Sequence, residues 1–252
     1  MKLNRKENQY IREKLILDSA EIMLEKGGFY SISMPELAKI SQCSTNTCYS
    51  YFKCREDVLV GIFNRYCAKW FVMVGRLISQ SPGGFAERFV AKMLLAPYLL
   101  SKNIEASGIQ FIMDLPIIWD KASPERVIVT RRLLELTATE NFLFTRSAKD
   151  FSLIEADDET IHSVLTQCFI LERGYCTLAN NKVYRKLMLE EPFSNFFTNL
   201  LLCMKKLNWK IDVMQIDIID VIKIIENVIS QVELLDADCV INEIWESEEP
   251  FL

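Results

Sequence analysis

The sequence predicts an all-α protein with a small N-terminal unit followed by a larger helical unit. Apolar residues recur at spacings of three and four along nearly the whole chain, which is the period of amphipathic helices. No segment alternates apolar and polar residues over the length that a half-buried strand requires. Glycine, proline and serine signals divide the chain into segments of helical length, so the pattern contains both the helices and their ends.

The first helix is predicted over residues 8–26, where an apolar stripe ends at Gly27-Gly28. The sequence Ser33-Met-Pro-Glu36 is a helix-start signal, in which Ser33 caps and Glu36 completes a capping box, and it opens a short helix over 34–40. Ser44 caps a second short helix over 45–51. Acidic residues at 56 and 57 open a long helix that extends to about residue 79.

The remainder of the chain also has helical periodicity. Helices are predicted at about 85–101, 104–120, 124–147, 158–179, 182–207 and 213–234, with a break at Pro192 in the fifth of these. A last helix is predicted to end near Ser247. Loops are predicted at 81–84 and 151–157.

Composition limits the classes of protein to which the chain can belong. Half of its 252 residues are hydrophobic and a quarter are charged, which is typical of a globular protein. No apolar stretch approaches the roughly 20 residues that cross a bilayer, and the polar N-terminus lacks the apolar centre of a signal peptide. We therefore expect a cytoplasmic protein that does not bind membranes.

The cysteines and the single histidine bear on metal and enzyme chemistry. The chain has eight cysteines without C-x-x-C spacing and one histidine, His162, so a zinc-ligand set is not expected. Reduced thiols in the core are one interpretation, and a redox or metal sensor built from Cys43, Cys48 and Cys54 is the other. No nucleophile elbow, phosphate-binding glycine loop or metalloprotease motif is present, so we expect no catalytic residues, no cofactor and no enzyme.

Two short helices joined by a tight turn, after one longer helix, form a tri-helical helix-turn-helix pattern. Five residues of this unit are predicted to pack inward: Leu37, Ala38, Cys43, Cys48 and Phe52. The opposite face of the second short helix is polar and is predicted to enter the major groove of DNA with Ser44, Thr45, Asn46, Thr47, Tyr49 and Tyr51.

Phosphate contacts are expected around this face. Ser33 and Ser44 lie at helix N-termini, where free N–H groups favour a phosphate oxygen, and Lys53 and Arg55 flank the reading helix. Residues 1–60 contain nine basic and eight acidic residues, which gives this segment a net charge of +1. Since the whole chain has a net charge of −5, the remaining residues carry a net charge of −6. An acidic body behind a less acidic head is the direction expected of a DNA-binding protein.

Residues 33–58 resemble the signature of the tetracycline-repressor (TetR) family of transcriptional regulators. The matching positions are Leu37-Ala38, Ser44, Thr47, Tyr49, Tyr51-Phe52 and Arg55-Glu56, within a similarity that covers about residues 8–60. Four positions depart from the family pattern, which has glycine, glycine, leucine and lysine where this chain has Gln42, Asn46, Cys48 and Arg55. Asn46 places a side chain where the backbone usually approaches DNA.

The resemblance implies a DNA-binding domain over 1–54 and a helical ligand-binding and dimerisation domain over 55–252. It implies a homodimer formed by the last long helices and a pocket between the middle helices. Two stripes are candidates for the dimer seam, and either is alternatively intrachain core: His162, Leu165, Phe169, Arg173 and Cys176; and Phe193, Phe196, Phe197, Leu200, Leu201 and Met204.

The segment around Pro116 is the candidate for the pocket, because a proline within a helical pattern kinks or breaks the helix and opens space. The predicted lining, which is alternatively ordinary core, is Trp70, Phe111, Met113, Asp114, Trp119 and Phe142. A lining of this kind favours a lipophilic effector.

The sequence therefore predicts a ligand-responsive transcriptional regulator. We expect a homodimer that binds a palindromic double-stranded DNA operator, acts as a repressor and is released by a small-molecule effector. The alternative is a dimer of the same fold that has lost DNA binding and acts as a scaffold or a small-molecule binder.

Overall fold

The computed structural model describes residues 5–102, 109, 112–186 and 192–246. These residues form helices connected by turns and loops, and none of them lies in a strand. The prediction of an all-α fold is confirmed.

The described α-helices are α1 Arg5–Gly27, α2 Met34–Ile40, α3 Thr45–Tyr51, α4 Arg55–Ser79, α5 Phe85–Lys102, α6 Pro116–Lys121, α7 Pro124–Asp150, α8 Asp158–Asn180, α9 Lys182–Arg185, α10 Pro192–Met204, α11 Ile218–Val232 and α12 Ala237–Glu246. Short 3-10 turns lie at Phe29–Ser31, Lys205–Leu207 and Val213–Gln215. Prolines begin α6 and α10, as expected for a residue that is tolerated in the first helical turn. Most of the predicted helix over 104–120 before α6 lies outside the described residues.

The chain divides into two compact units that are not contiguous in sequence. Unit 1 contains the described residues of 1–68, 105–134 and 236–252, and unit 2 contains those of 69–104 and 135–235. The predicted division at residue 54 follows the DNA-reading motif alone. In the structure, the compact unit around that motif also includes the beginning of α4, the beginning of α7 and α12.

Unit 1 has its own apolar core, to which α1 contributes Ile16 and Ala20, and α4 contributes Leu59. The residues predicted to pack inward are confirmed there, since Leu37, Ala38, Cys48 and Phe52 are buried and Cys43 packs against the same cluster. Met113 and Ile118 complete this core from the segment around α6.

Unit 2 is a helical bundle in which α5 contacts α8 and α11, and α8 contacts α10. Its core includes Phe89, Leu94 and Leu95 of α5. Most of the α10 stripe considered for a dimer seam is also part of this core, because Phe196, Leu200, Leu201 and Met204 are buried within the chain.

Helix α4 is long and apolar enough to cross a membrane by length and composition alone. Of its most apolar window, 67% is buried inside the fold, which is typical of a core helix.

Candidate nucleic-acid interface

The turn between α2 and α3 fixes the angle between these helices. The Ser41 hydroxyl donates to the Leu37 carbonyl oxygen at 2.7 Å, and the Cys43 N–H donates to the Ala38 carbonyl oxygen at 2.9 Å. Gln42 lies between them with a φ of 53°, in the left-handed region. This conformation explains why the resembling family places glycine here, because a residue with a Cβ is strained in that region.

The N-terminus of α3 is capped as predicted. The Ser44 hydroxyl accepts from the Thr47 N–H at 3.0 Å and lies 2.8 Å from the Thr47 hydroxyl. The side chains of Ser44 and Thr47 therefore order the first turn of the helix.

The predicted cap of α2 is wrong. Ser33 occupies the N-cap position in an extended conformation, but its side chain makes no capping hydrogen bond. A cap accepts from the second or third helical N–H. Pro35, the second helical residue, has none, so the N–H of Glu36 is the remaining donor, and Ser33 does not accept from it. The Ser33 side chain is exposed at the start of α2.

The outward face of α3 presents polar groups to solvent. Asn46 and Ser50 are exposed and the Tyr49 ring is 47% exposed. Thr45 and Thr47 are half-buried at the edges of this face. Tyr51 was predicted on the same face, but it is half-buried and packs against the core of unit 1. Helix α3 is only seven residues long, so the exposed side chains available to a base edge lie within about one helical turn, from Asn46 to Ser50.

The two basic residues after α3 differ in their surroundings. Lys53 is exposed, and its Nζ lies 3.9 Å from a Glu125 carboxylate oxygen. The Arg55 guanidinium lies over the Phe29 ring, 4.4 Å from its centroid, and 3.5 Å from a Glu56 carboxylate oxygen. Lys53 is therefore the more available cation for a phosphate.

The C-terminal end of α3 is held by residues that the sequence reasoning did not single out. The buried Asp57 carboxylate accepts from the Lys53 N–H at 2.8 Å and from the Ser123 N–H at 2.6 Å. Arg126 donates to the Tyr51 carbonyl oxygen at 3.0 Å and to Glu13 at 2.9 Å. Asp57 was visible as a first-turn acid of α4, whereas Arg126 gave no signal because its partners are 75 and 113 residues away.

The residues predicted to line an effector pocket are divided between the two units, and Phe111 lies outside the described residues. In unit 1, Met113 is buried, its carbonyl oxygen accepts from Trp119 Nε1 at 2.7 Å, and Asp114 is exposed. In unit 2, Trp70 and Phe142 are partly buried against the core.

Each unit has a cavity of its own. A cleft of about 580 Å³ in unit 1 is lined by polar residues that include Glu13, Lys14, Asn64 and Arg126. A groove of about 640 Å³ in unit 2 is lined mainly by apolar side chains of α4, α5 and α7, and it contains one carboxylate, Glu140.

Cys48, Cys67 and Cys168 are buried and have the properties of core residues. All eight cysteines are free, and burial raises the pKa of Cys48 to about 11 and the pKa values of Cys67 and Cys168 to about 12. A reactive sensor thiol has a lowered pKa, so these three support the interpretation as reduced packing residues. Within the described ranges, no group of three or more His, Cys, Asp or Glu is placed to hold a metal ion.

Comparisons with known proteins place the fold. Neither a protein-family model nor a curated protein matches this sequence. A solved structure of a protein of unknown function from Rhodococcus sp. RHA1 is 18% identical with a TM-score of 0.56, and the match covers 78% of this chain and 94% of that one. The fatty acid degradation regulator FadR from Bacillus halodurans is 13% identical with a TM-score of 0.50, over 82% of this chain and 97% of that one.

A TetR-family transcriptional regulator from Haemophilus influenzae RD also matches, with 16% identity and a TM-score of 0.44, over 78% of this chain and 97% of that one. The fold of this chain is that of the Rhodococcus and Bacillus halodurans structures, and its own helices form an N-terminal helix-turn-helix and a larger helical body. At these identities the likeness concerns the fold, and the activity of this chain has to be argued from its own residues.

Proposed function

We propose that this protein is a ligand-responsive DNA-binding transcriptional regulator of the cytoplasm, which binds a palindromic operator as a homodimer. The observation that carries the proposal is the exposed polar face of α3, where Asn46 and Tyr49 project from a helix whose inner side is anchored by the buried Cys48. A short helix with this division of residues is the reading element of helix-turn-helix proteins.

Base and phosphate contacts have separate candidates. The Asn46 amide can pair with an adenine edge, and the exposed Tyr49 ring can pack against a base or its methyl group. Exposed Ser33 at the start of α2 and exposed Lys53 after α3 are placed at the ends of short helices, where phosphate contacts fix the docking register. We expect Arg55 to contribute less to phosphate binding because it is held against Phe29 and Glu56.

Dimerisation is supported by an apolar surface on α8. Phe169 is 59% exposed and Ile170 is 63% exposed, and adjacent exposed apolar side chains of this size can form an interaction surface. Ile170, Gly174 and Leu178 follow one another at four-residue spacing, and nothing lies within 4 Å of the place where Gly174 would carry a Cβ. A second helix can approach α8 closely along this line, and a two-fold dimer is the assembly that fits a palindromic operator.

Control by an effector is supported by the course of two helices. Residues of α4 and of α7 belong partly to unit 1 and partly to unit 2. A ligand that binds one arrangement of these helices better than another shifts the population of DNA-binding molecules, and it does so only by its difference in affinity. We propose that the DNA-bound form represses transcription and that the effector releases it.

The proposal is tested by selecting fragments that the purified protein retains from sheared DNA of the source organism, across a series of salt concentrations. Enrichment of one palindrome, with affinity that falls steeply as salt rises, is the expected result. A folded dimer that enriches no sequence at low salt would overturn DNA binding. It would favour the alternative of a dimeric scaffold or small-molecule binder.

A further inference from the structure

The groove in unit 2 combines an apolar lining with one carboxylate. It is about 640 Å³ in volume, which is within the range of small-molecule sites. Its apolar side chains are Phe71 and Ile78 of α4, Phe85 of α5, and Leu143 and Phe144 of α7. The Phe85 and Phe144 rings stack with their centroids 5.2 Å apart, which gives the groove a continuous aromatic wall.

Glu140 of α7 is the carboxylate in this lining. Its Oε2 is buried and has no hydrogen-bond partner among the described residues. Burial raises the pKa of the Glu140 carboxyl, and no neighbouring charge contributes to the change. A buried carboxylate oxygen without a partner costs free energy, so this atom is suited to a ligand that donates a hydrogen bond.

Two arginines near the groove have other partners. Arg76 donates to the carbonyl oxygen of Gln231 at 2.8 Å and to its side-chain oxygen at 3.3 Å. Arg88 donates to the Ile78 carbonyl oxygen at 2.6 Å and lies over the Phe85 ring, 4.8 Å from its centroid. Neither guanidinium forms an ion pair with Glu140. The guanidinium of Arg88 covers one face of the Phe85 ring.

Gly75 leaves the space in front of this carboxylate open. A Cβ built on Gly75 would lie 3.9 Å from Glu140 Oε2, and no other described atom beyond its chain neighbours and the backbone of its own helix lies within 4 Å of it. The groove beside the carboxylate is therefore not filled by a side chain at position 75.

We propose that this groove binds an amphiphilic organic amine, with its ammonium group donating to Glu140 and its apolar body lying against Phe85 and Phe144. The ammonium supplies both the charge and the hydrogen bond that the carboxylate lacks, and the apolar body fills a wall that water solvates poorly. Its role as the effector site rests on the proposed function, whereas the binding itself does not.

The experiment compares three probes with one apolar body and different ends: diphenylpropylamine, diphenylpropanol and diphenylpropanoate. Their dissociation constants are measured by calorimetric titration of the full chain without DNA. We expect the amine to bind about tenfold more tightly than the alcohol, or better, and the carboxylate to bind more weakly than either.

Variants locate the effect. Glu140→Gln should reduce the affinity for the amine to that for the alcohol and leave the alcohol unchanged. Ser147→Ala, at an uncharged position of the same lining, is the matched control and should preserve the preference. Gly75→Leu fills the space before Glu140 and should weaken the binding of amine and alcohol together. Circular dichroism establishes that each variant is folded.

Equal affinity for amine and alcohol, a preference that survives Glu140→Gln, or no binding of the amine would each overturn the proposal. These titrations contain no DNA. If the protein binds the amine but enriches no operator, the proposal for the groove is supported and only the proposed DNA-binding function is overturned. If the protein enriches an operator but does not bind the amine, the DNA-binding function is supported and the proposal for the groove is overturned.

Discussion

The guanidinium of Arg126 donates to the carbonyl oxygen of Tyr51 at 3.0 Å and lies over the Phe52 ring, 4.1 Å from its centroid. Tyr51 is the last residue of α3, and the final carbonyl oxygens of a helix have no partner within the helix. A cation at this end also interacts favourably with the helix dipole. The first turn of α7 therefore holds the C-terminal end of the helix that we propose to read DNA.

Removing this contact should loosen α3. We expect Arg126→Met, which keeps an apolar stem over Phe52, to lower the free energy of unfolding by about 1–2 kcal/mol, because it removes hydrogen bonds from a charged donor to Tyr51 and Glu13. Urea denaturation measures this change. Arg131→Met, at an exposed position of the same helix, is the control. Equal stability of the two variants would show that Arg126 does not hold α3.

Helix α12 is attached to unit 1 by a buried ion pair. Arg65 is 5% exposed, and its Nε and Nη2 both donate to Asp238, the former at 2.8 Å. Its Nη1 lies 2.9 Å from an Asp18 carboxylate oxygen and 3.2 Å from a Glu21 carboxylate oxygen. Loss of one partner of a buried pair leaves an uncompensated charge.

We expect Asp238→Ala to lower the free energy of unfolding by about 3 kcal/mol. Asp220→Ala is the matched control, because the Asp220–Lys223 pair is exposed and should contribute less than about 1 kcal/mol. Thermal and urea denaturation both report the difference. A loss of stability no larger than that of the control would mean that Asp18 and Glu21 alone satisfy Arg65.

Local sequence signals predicted the structure of the helix-turn-helix segment well. The Ser44 cap, the buried Leu37 and Phe52 and the exposed Asn46 all follow from residue types at fixed spacing within one short segment. The failed cap at Ser33 has no such local signal, because Pro35 removes only the N–H of the second helical residue, whereas the capping-box motif uses the N–H of Glu36, the third.

What the sequence did not predict depends on contacts between distant segments. The Arg65–Asp238 pair joins residues 173 positions apart, so nothing near either residue indicates that α12 packs in unit 1. A ligand pocket also gives no local signal of this kind. Aromatic and methionine residues around Pro116 have the same pattern whether they line a cavity or fill a core, and Met113 fills one. Glu140 gave no signal, because a single carboxylate on a polar-rich helix usually faces solvent.

The turn before α3 provides a prediction of increased stability. Gln42 has a φ of 53°, and glycine adopts this region without the strain of a Cβ. We expect Gln42→Gly to raise the free energy of unfolding by about 0.5–1 kcal/mol, after the added entropy of the unfolded chain is allowed for. Lys39→Gly, one turn earlier within α2, is the control and should be destabilising by a similar amount. A destabilised Gln42→Gly variant would indicate that the glutamine side chain stabilises the turn.

The reading face of α3 provides a prediction about DNA. Tyr49→Ala and Asn46→Ala should each weaken binding to the selected operator by roughly 1–3 kcal/mol, with little change on unrelated DNA. Tyr184→Ala is the control, because Tyr184 lies in unit 2 with 49% exposure against 47% for Tyr49. Fluorescence anisotropy with labelled operator measures both affinities. If neither head variant loses affinity, our placement of the reading face is wrong.

Lys92 of α5 is an ionisable residue in the core of unit 2. The residue is 2% exposed, and its Nζ has no hydrogen-bond partner among the described residues. Burial lowers the pKa of Lys92 to about 7 from an ordinary value of 10.5, while Cys168 and Glu172 partly offset the change. Between these two pH values the unfolded chain binds a proton that the folded chain does not. Stability contributed by the neutral amine therefore rises with pH across this window, and below about pH 7 the folded state bears the full cost of burial.

Lys92→Met should remove this cost with little change in volume. We expect the variant to exceed the wild type in free energy of unfolding by roughly 4 kcal/mol at about pH 6, and the advantage to shrink steadily towards about pH 10. Urea denaturation across that pH range gives the difference directly, and Lys210→Met at an exposed position should show no such slope. A variant that is less stable than the wild type at acidic pH would mean that Lys92 is charged and paired in the folded protein, because only a favourable partner could make its loss costly there.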